Sequence, residues 1–414
     1  MADGETEVSD RRVSVSWIPA DGYGESTSRR FKRKNHPLAT TSKKTKCGCC
    51  GTTHHAFYDR TERLVRDLPC GDARIYLEVE IRRVRCRVCG KVKQEKLEWL
   101  ADNPFYTKRF MYWVGEHCRR STIKDVAKEC RLDWKTVKEL EKQYMREQLK
   151  CSPSVAPRIV GIDEISVRKG HRYRIVVSDL ERGVPIWFGG KDRSEDSMDE
   201  FYAELGPESC KNITLAVMDM WQAFEKSLKK NAPQAAVLYD KFHILKHLGE
   251  ALDTVRKQEY ARLSGNKRAY IKGMKWILLS NRENLETDGK ASLRKLFQLN
   301  KRLATAYMLR ESFGQLWSYR TEGWARRFFD NWKASLKWQR LKPFVQFTKL
   351  IERHWDGIAS YCNPAHKVKL GFVEGLNNKI RVIQRRAYGI RDEEYLRLKV
   401  LTCMLPEISQ ISPT

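Results

Sequence analysis

The sequence predicts a mixed α/β layer fold preceded by a cysteine-rich head and a helical segment. Three observations carry this expectation. Between residues 157 and 250 the apolar runs fall in the order β-β-β-α-β-α-β-α. Two Cys-x-x-Cys pairs lie ahead of that region, and only helical patterning is found from about 250 to 360.

Taken in order, residues 1–45 are polar and lack apolar periodicity, so they are expected to form a disordered basic tail. The runs "RRFKRK" (29–34) and "KKTK" (43–46) suit non-specific phosphate contacts or a simply solvated tail. Residues 46–100 are assigned to a zinc ribbon. Cys47-x-x-Cys50 and Cys86-x-x-Cys89 each stand beside a glycine, Gly51 and Gly90, as tight knuckle turns require. Four thiolates in tetrahedral array suit Zn²⁺ in a structural site. Cys49, His54 and His55 are neighbouring alternative ligands, and Cys70 reads as packing. Between the pairs, "ARIYLEVEIRRVRC" (73–86) alternates apolar and polar residues as a half-buried strand does.

Residues 101–150 are assigned to a helix-turn-helix domain. Within "STIKDVAKECRLDWKTVKELEKQYMRE" (121–147), Ser121 or Thr122 can cap a first helix with Val126 and Ala127 inward. Asp133 can cap a second helix with Val137 and Leu140 inward, leaving Trp134, Lys135, Thr136 and Lys138 outward, where a recognition helix meets base edges. Arg131 stands where such a turn usually holds glycine, so an ordinary helical hairpin stays open as the alternative.

The α/β core begins at residues 151–250 with the runs "RIVGIDEISV", "YRIVVSDL" and "VPIWFGG", separated by "RKGH" and "ERG" turns. Residues 251–362 form a helical segment, 363–405 return to the core with a basic helix carrying Glu374, and 406–414 end the chain as a tail. Acidic residues interrupt or end apolar strands at Asp163 ("RIVGIDEI") and Asp219 ("ITLAVMD"), which is costly unless something pairs with them. Open α/β sheets place their sites at those strand ends, and paired carboxylates suit Mg²⁺. Singly, each has a plain alternative. Glu164 can replace Asp163, Asp219 can cap the helix after it, and Glu374 can pair with Arg381 or Asn378. On the helix of Glu374, the stripe of Asn378, Arg381 and Arg385 opposes an apolar stripe of Leu376, Ile380, Ile383 and Ala387.

The formal net charge of +27 over 414 residues argues for a polyanionic partner. No run is long enough to span a bilayer and no secretory signal is present, so a cytoplasmic protein bound to nucleic acid, with no membrane partner, is expected. The twelve cysteines then read as metal ligands or free thiols.

From Cys47 to about Thr402 the chain resembles the bacterial insertion-sequence transposases of the ISL-three group. The resemblance rests on the Cys-x-x-Cys head, the helix-turn-helix, "GIDEIS", "VMDMWQAF", "LYDKFHILKHL" and "VEGLNNKIRVIQRRAYGIRD". It implies an RNase H-like mixed-sheet core with an all-helical insertion, and a D-D-E triad of Asp163, Asp219 and Glu374 binding Mg²⁺ (or Mn²⁺). Asp240 and His243 match a further signature, in supporting roles or as a helix cap and a structural histidine. The implied activity is that of a Mg-dependent DNA transposase. It binds the terminal inverted repeats of an insertion sequence, cleaves the strand and transfers it to target DNA. A homodimer or larger assembly on double-stranded DNA, associated with the bacterial nucleoid, follows from bringing two ends together. Lys379, Arg381, Arg385 and Arg386 would hold the backbone near the triad. Of Trp276, Trp317, Trp324, Trp332, Trp338 and Trp355 in the insertion, Trp324, beside Arg326 and Arg327, is the candidate for stacking on an unpaired base, against core packing as the general expectation. The rival reading is a zinc-containing DNA-binding regulator with a catalytically inactive core.

Overall fold

The computed structural model describes residues 13–18, 44–153, 156–168 and 172–408. It divides into two compact units, one of residues 1–153 with 384–414 and one of residues 154–383. Most of the expected basic tail, the "RKGH" turn and the end of the closing tail fall outside the described residues. One part of the tail departs from expectation: β1 (Val13–Ile18) is a strand, antiparallel to β5.

In the first unit, the hairpin of β2 (Thr45–Lys46) and β3 (Thr53–His54) precedes β4 (Asp59–Arg66), β5 (Arg74–Arg85) and β6 (Val92–Gln94). Strand β5 is the predicted alternating strand, and it pairs antiparallel with β1, β4 and β6. Its inward residues Val79 and Ile81 bury against Val65 and Leu100. Cys70, expected as packing, is instead exposed in the turn joining β4 to β5.

Three helices follow: α1 (Lys108–Arg120), α2 (Ile123–Cys130) and α3 (Trp134–Cys151). Thr122 caps α2, its side chain accepting from the Asp125 amide, and Asp133 caps α3 by accepting from Lys135. Val126, Ala127, Val137 and Leu140 are buried as their spacing requires. Arg131 takes the left-handed conformation (φ 52°) that ends α2, so the turn has the glycine geometry without the glycine. Helices α1 and α3 approach closely at Gly115, where a Cβ would lie 2.2 Å from Tyr144 Cγ.

The second unit is a five-stranded sheet. Strands β7 (Ile159–Arg168), β8 (Arg172–Asp179) and β9 (Val184–Gly189) form the predicted antiparallel meander. The "ERG" turn is built on Asp179, which accepts from the Glu181 and Arg182 amides, with Gly183 at φ +66°. After α4 (Glu195–Leu205) and α5 (Pro207–Cys210) comes β10 (Leu215–Met218), then α6 (Gln222–Asn231), β11 (Ala236–Tyr239) and α7 (Lys241–Arg262). The strand order is β11-β10-β7-β8-β9, with β10 parallel to both its neighbours. This is the RNase H-like mixed sheet.

The insertion is wholly helical among the described residues. It comprises α8 (Gly265–Gly273), α9 (Lys275–Leu279), α10 (Thr287–Leu299), α11 (Lys301–Phe313), α12 (Glu322–Ser335), α13 (Lys342–Arg353) and α14 (Trp355–Ala359), with short 3₁₀ turns between them. One continuous core joins it to the sheet, running from Val160, Ile175 and Met218 through Leu248 of α7 to Phe313, Phe329 and Phe344. Trp332 (5 % exposed) and Trp355 (7 %) belong to that core and Trp317 packs partly buried against it, but Trp276, Trp324 and Trp338 are exposed, so the expected core packing holds for only half of the insertion tryptophans.

Helix α15 (Gly371–Arg386) carries Glu374 in its first turn. Its buried face is Val373, Leu376, Asn377, Ile380 and Ile383. The expected stripe is corrected at Ala387, which is exposed and lies past the helix end. The final helix, α16 (Glu393–Thr402), was grouped with the core by sequence, but it belongs to the first unit. There Tyr395 and Leu398 join the core of α1–α3, and the Tyr395 hydroxyl and Lys399 both meet the buried Glu141. Among the described residues no helix is long and apolar enough to cross a membrane.

Candidate active site and nucleic-acid-binding elements

Sheet register brings the acidic residues together. Val217 of β10 stands opposite Gly161 of β7, and Met218 opposite Tyr239 of β11. Continuing the same steps, Asp163, Asp219 and Asp240 fall side by side at the carboxyl edge of three adjacent parallel strands. Each carboxylate is oriented alike by a following amide. Oδ1 of Asp163 accepts from Glu164 (2.8 Å), that of Asp219 from Met220 (2.6 Å) and that of Asp240 from Phe242 (2.9 Å). Asp240 thereby caps α7, while Asp219 caps no helix.

The second oxygens meet side chains. His243 Nδ1 lies 3.1 Å from Asp219 Oδ2, and Asn377 Nδ2 donates to Asp163 Oδ2 at 2.5 Å. The bond to Asp219 and the charges of the three aspartates, opposed by burial, raise His243 to about 9. Burial pushes Asp163 up to about 6, the charge of Glu164 adding to it. Burial also opposes ionisation of Asp219, but the bond and charge of His243 outweigh it and hold that carboxyl below its usual value. Asp240 is raised by burial and by the charges of Asp219 and Glu374. His243 thus sits among the three aspartates, Glu374 adds its charge at Asp240, and such a cluster of hard oxygens suits a divalent cation.

Helix α15 places Glu374 beside this edge. Val373 packs directly over Gly161, where a Cβ would come within 2.9 Å of Val373 Cγ2, and Asn377 of the next turn bonds Asp163. Glu374 is exposed and has no side-chain partner among the described residues. Arg381 and Asn378, its expected alternatives, bond to each other (3.2 Å). Asp163, Asp219 and Glu374 do not close to within 4.8 Å of one another as the cysteines do.

Two residues escaped the sequence reading. Asn377 is 6 % exposed, and its Oδ1 is buried without a donor. Its signal was a polar residue on the apolar stripe. Arg193 pairs with Glu164 (3.0 Å) and lies between the rings of Tyr173 (4.5 Å) and Trp221 (4.7 Å), while Trp221 Nε1 donates to the Arg193 carbonyl (2.7 Å). This clamp ties the segment after Asp219 to β7 and β8, and it turns Glu164 to Arg193. No local pattern marks it.

The predicted zinc ligands converge. The sulfurs of Cys47, Cys50, Cys86 and Cys89 all lie within 4.8 Å of one another. Their knuckles are alike. The Cys49 and Cys89 amides donate to Cys47 and Cys86 sulfurs at 3.4 Å, and the Gly51 and Gly90 amides return to the Cys47 and Cys86 carbonyls. Both glycines have positive φ (+72° and +67°). Four such sulfurs fit Zn²⁺. Cys49, His54 and His55 lie outside the set.

Comparison with known sequences agrees in order along the chain. Residues 43–89 match a zinc finger of the transposases of IS204, IS1001, IS1096 and IS1165. Residues 95–145 match the helix-turn-helix domain of transposase family ISL3, and residues 160–400 match a family described as Transposase. The chain is 34 % identical to the transposase for insertion sequence element IS1001 of Bordetella parapertussis, over 88 % of this chain and 89 % of that one. It is 28 % identical to the transposase for IS1557 of Mycobacterium tuberculosis, over 85 % and 84 %. The chain belongs to the ISL3 transposase family.

In this transposase Trp134 and Lys135 are exposed at the start of α3, with Thr136 half-buried. Lys138 is held by Asp392 (2.7 Å), which also meets Lys142 (2.9 Å). Arg386 donates to the Arg119 and Arg120 carbonyls at the end of α1, so it serves the first unit's own structure. Lys379, Arg381 and Arg385 are exposed. Trp324 is 60 % exposed with the Arg327 guanidinium 5.6 Å from its ring. Trp276 (73 %) and Trp338 (81 %) share that exposure, each beside a lysine.

Proposed function

We propose that this chain is the enzyme of an insertion sequence, binding its terminal inverted repeats and cutting and joining DNA through Asp163, Asp219 and Glu374. The observation that carries the reading is the alignment of Asp163 and Asp219 on adjacent parallel strand ends, with Glu374 on the helix whose Asn377 holds Asp163. These carboxylates would hold Mg²⁺ or Mn²⁺, which when bound activates a water or a 3′-hydroxyl and stabilises the leaving oxygen of a phosphodiester. The protein's part is positioning. The following amides fix one oxygen of each aspartate, Asn377 and His243 direct the other oxygens of Asp163 and Asp219, and Arg193 braces the strand ends.

The four cysteines would bind one structural Zn²⁺. Helix α3 would enter the major groove with Trp134, Lys135 and Thr136 towards the bases, Lys138 joining them if it leaves Asp392. Lys379, Arg381 and Arg385 would meet phosphates, Arg386 would support them from the end of α15, held by the Arg119 and Arg120 carbonyls, and Trp324 would stack on an unpaired base. The protein would work as a homodimer or larger assembly on the DNA of the cytoplasmic nucleoid.

The test is purified protein with end-labelled inverted-repeat DNA and Mg²⁺ or Mn²⁺. Wild type is expected to nick at the element end and Asp219→Ala to leave the DNA intact. Cleavage unchanged by Asp219→Ala would sink the assignment, and binding without any cleavage would favour the regulator.

A further inference from the structure

A cleft of about 770 Å³ opens in the second unit, where the start of α7 meets the segment before α10 and the end of α11. Its charged lining is Lys241, Arg282, Lys290 and Arg310 against Glu283 and Glu311. The arginine of α11 is already committed: its guanidinium bonds the Leu279 and Ser280 carbonyls and Glu311. The other three cations are not. Among the described residues Lys241, Lys290 and the Arg282 guanidinium form no ion pair, although both lysines are half-buried.

Removing an ammonium from water without a counter-charge costs free energy, and burial depresses the Lys241 pKa accordingly. Its nearest compensation is the Trp317 ring, 5.4 Å from Nζ, and the Trp317 indole nitrogen is itself buried without an acceptor. Lys241 also stands at the N-terminus of the 22-residue helix α7, whose dipole adds positive potential. So three cations of the cleft form no ion pair among the described residues although Glu283 and Glu311 line it too, and an orphan donor lies nearby.

Place identifies the anion. Lys241 directly follows Asp240, whose amide bonds the Met218 carbonyl at the carboxylate-bearing edge. Lys241 lines the cleft, so the cleft begins one residue along the chain from the edge where the proposed reaction would occur.

We propose that this cleft is a binding site for the sugar–phosphate backbone of the DNA flanking the cleaved bond, with Lys241, Arg282 and Lys290 contacting successive phosphates. The proposal rests on the reading of the chain as an enzyme acting on DNA. It adds a grip on the strand that is independent of α3 and of base sequence.

The experiment measures the affinity of the full-length protein for inverted-repeat DNA against salt concentration, without added Mg²⁺. Each phosphate contact contributes about 0.9 to the slope of log affinity on log salt for duplex DNA. The triple variant Lys241→Gln/Arg282→Gln/Lys290→Gln is expected to lower that slope by about 2 to 3. The control Lys267→Gln/Arg268→Gln/Lys272→Gln removes the same charge outside the cleft lining and is expected to leave it near wild type. An unchanged slope in the first variant, or an equal fall in both, overturns the proposal. If the triple variant unfolds, Lys290→Gln alone carries the test, with an expected fall of about 1. Protein that never cleaves but loses slope in the cleft variant removes the catalytic reading and keeps the cleft. Protein that cleaves with an unaltered slope does the reverse.

Discussion

The two candidate metal sites of this chain are built in opposite ways. The thiol site is local: two short knuckles, each closed by its own amide–sulfur bond, bring four sulfurs within 4.8 Å. The carboxylate site draws on two strand ends and a distant helix, and its triad stands further apart. The chemistry explains the contrast. Each pair of thiols is held by its own tight knuckle turn, and Cys47 and Cys86 are buried. Ionised carboxylates repel, by about 4 kcal/mol at 4 Å in a protein surface environment. Register, the following-amide bonds and the His243 contact hold them at the strand ends instead. A cluster of thiols can be closed by its own turns, while a cluster of carboxylates needs several elements of the sheet to hold it.

The largest expected effect is loss of zinc. Structural zinc contributes roughly 10–16 kcal/mol of apparent binding free energy in small zinc modules. Metal analysis should find one zinc per chain, and Cys86→Ser should lose it together with the protected amides of the knuckles in hydrogen exchange. Hydrogen exchange in the α/β core should be unaltered. A variant that kept its zinc would break the comparison, because the thiol cluster would then not be the site.

Next is Asp163→Asn, which separates function from stability at the carboxylate end. Cleavage should fall by about 10³-fold or more, as when one preorganised charge-stabilising group is removed. Stability should move the other way. The folded pKa of Asp163, about 6, lies above the unfolded value of about 3.9, so the folded state binds the proton more tightly. Its ionisation therefore costs stability progressively as pH rises from about 4 to 6, and the cost is constant above that. Without added Mg²⁺, Asp163→Asn should melt higher than wild type at pH 8, by at most about 3 kcal/mol, and equally near pH 4. A variant less stable than wild type at pH 8 would mean that burial is not what raises this carboxyl.

These two sites also differ in how far the sequence exposed them. The knuckles were legible because ligand type, spacing and glycine all lie within a few residues. The meander, the strand order of types and the helical insertion were legible from periodicity. Asp163 and Asp219 could be suspected as acids in apolar strands, but only register puts them on neighbouring strands. Glu374 taken alone reads as a surface charge; the family resemblance singles it out, and α15 carries it beside the edge. Arg193 was invisible because its partners Glu164, Tyr173 and Trp221 come from separate elements. The placement of α16 with α1–α3 was missed for the same reason, since helical periodicity does not name the surface that buries it.

Asn377 sharpens the point about long-range support. Among the described residues its side chain hydrogen-bonds Asp163, so its expected part is to orient that carboxylate. Outer partners of metal ligands typically matter by 10–100-fold. Asn377→Leu should weaken Mn²⁺ binding, read by titration of the zinc-loaded protein, by about that factor, and Asn377→Gln should lose less if it still reaches. Mn²⁺ affinity unchanged in Asn377→Leu would reduce the residue to core packing.

The smallest effect tests the one place where local reading argued against its own result. Arg131 holds a left-handed conformation at the end of α2, in a turn where glycine is usual. A side chain there costs about 1–2 kcal/mol relative to the right-handed region, a cost glycine does not bear. Glycine loses more backbone entropy on folding, which offsets roughly half of that. Arg131→Gly should thus raise the stability of the first unit by about 0.5–1 kcal/mol, read as a small upward shift of its unfolding transition. The sequence of a turn and the geometry of a turn are then separable: caps at Thr122 and Asp133 and burial of Val126 and Val137 help impose the geometry on a corner that holds arginine. Destabilisation by glycine would show instead that the arginine side chain anchors the turn through its own contacts.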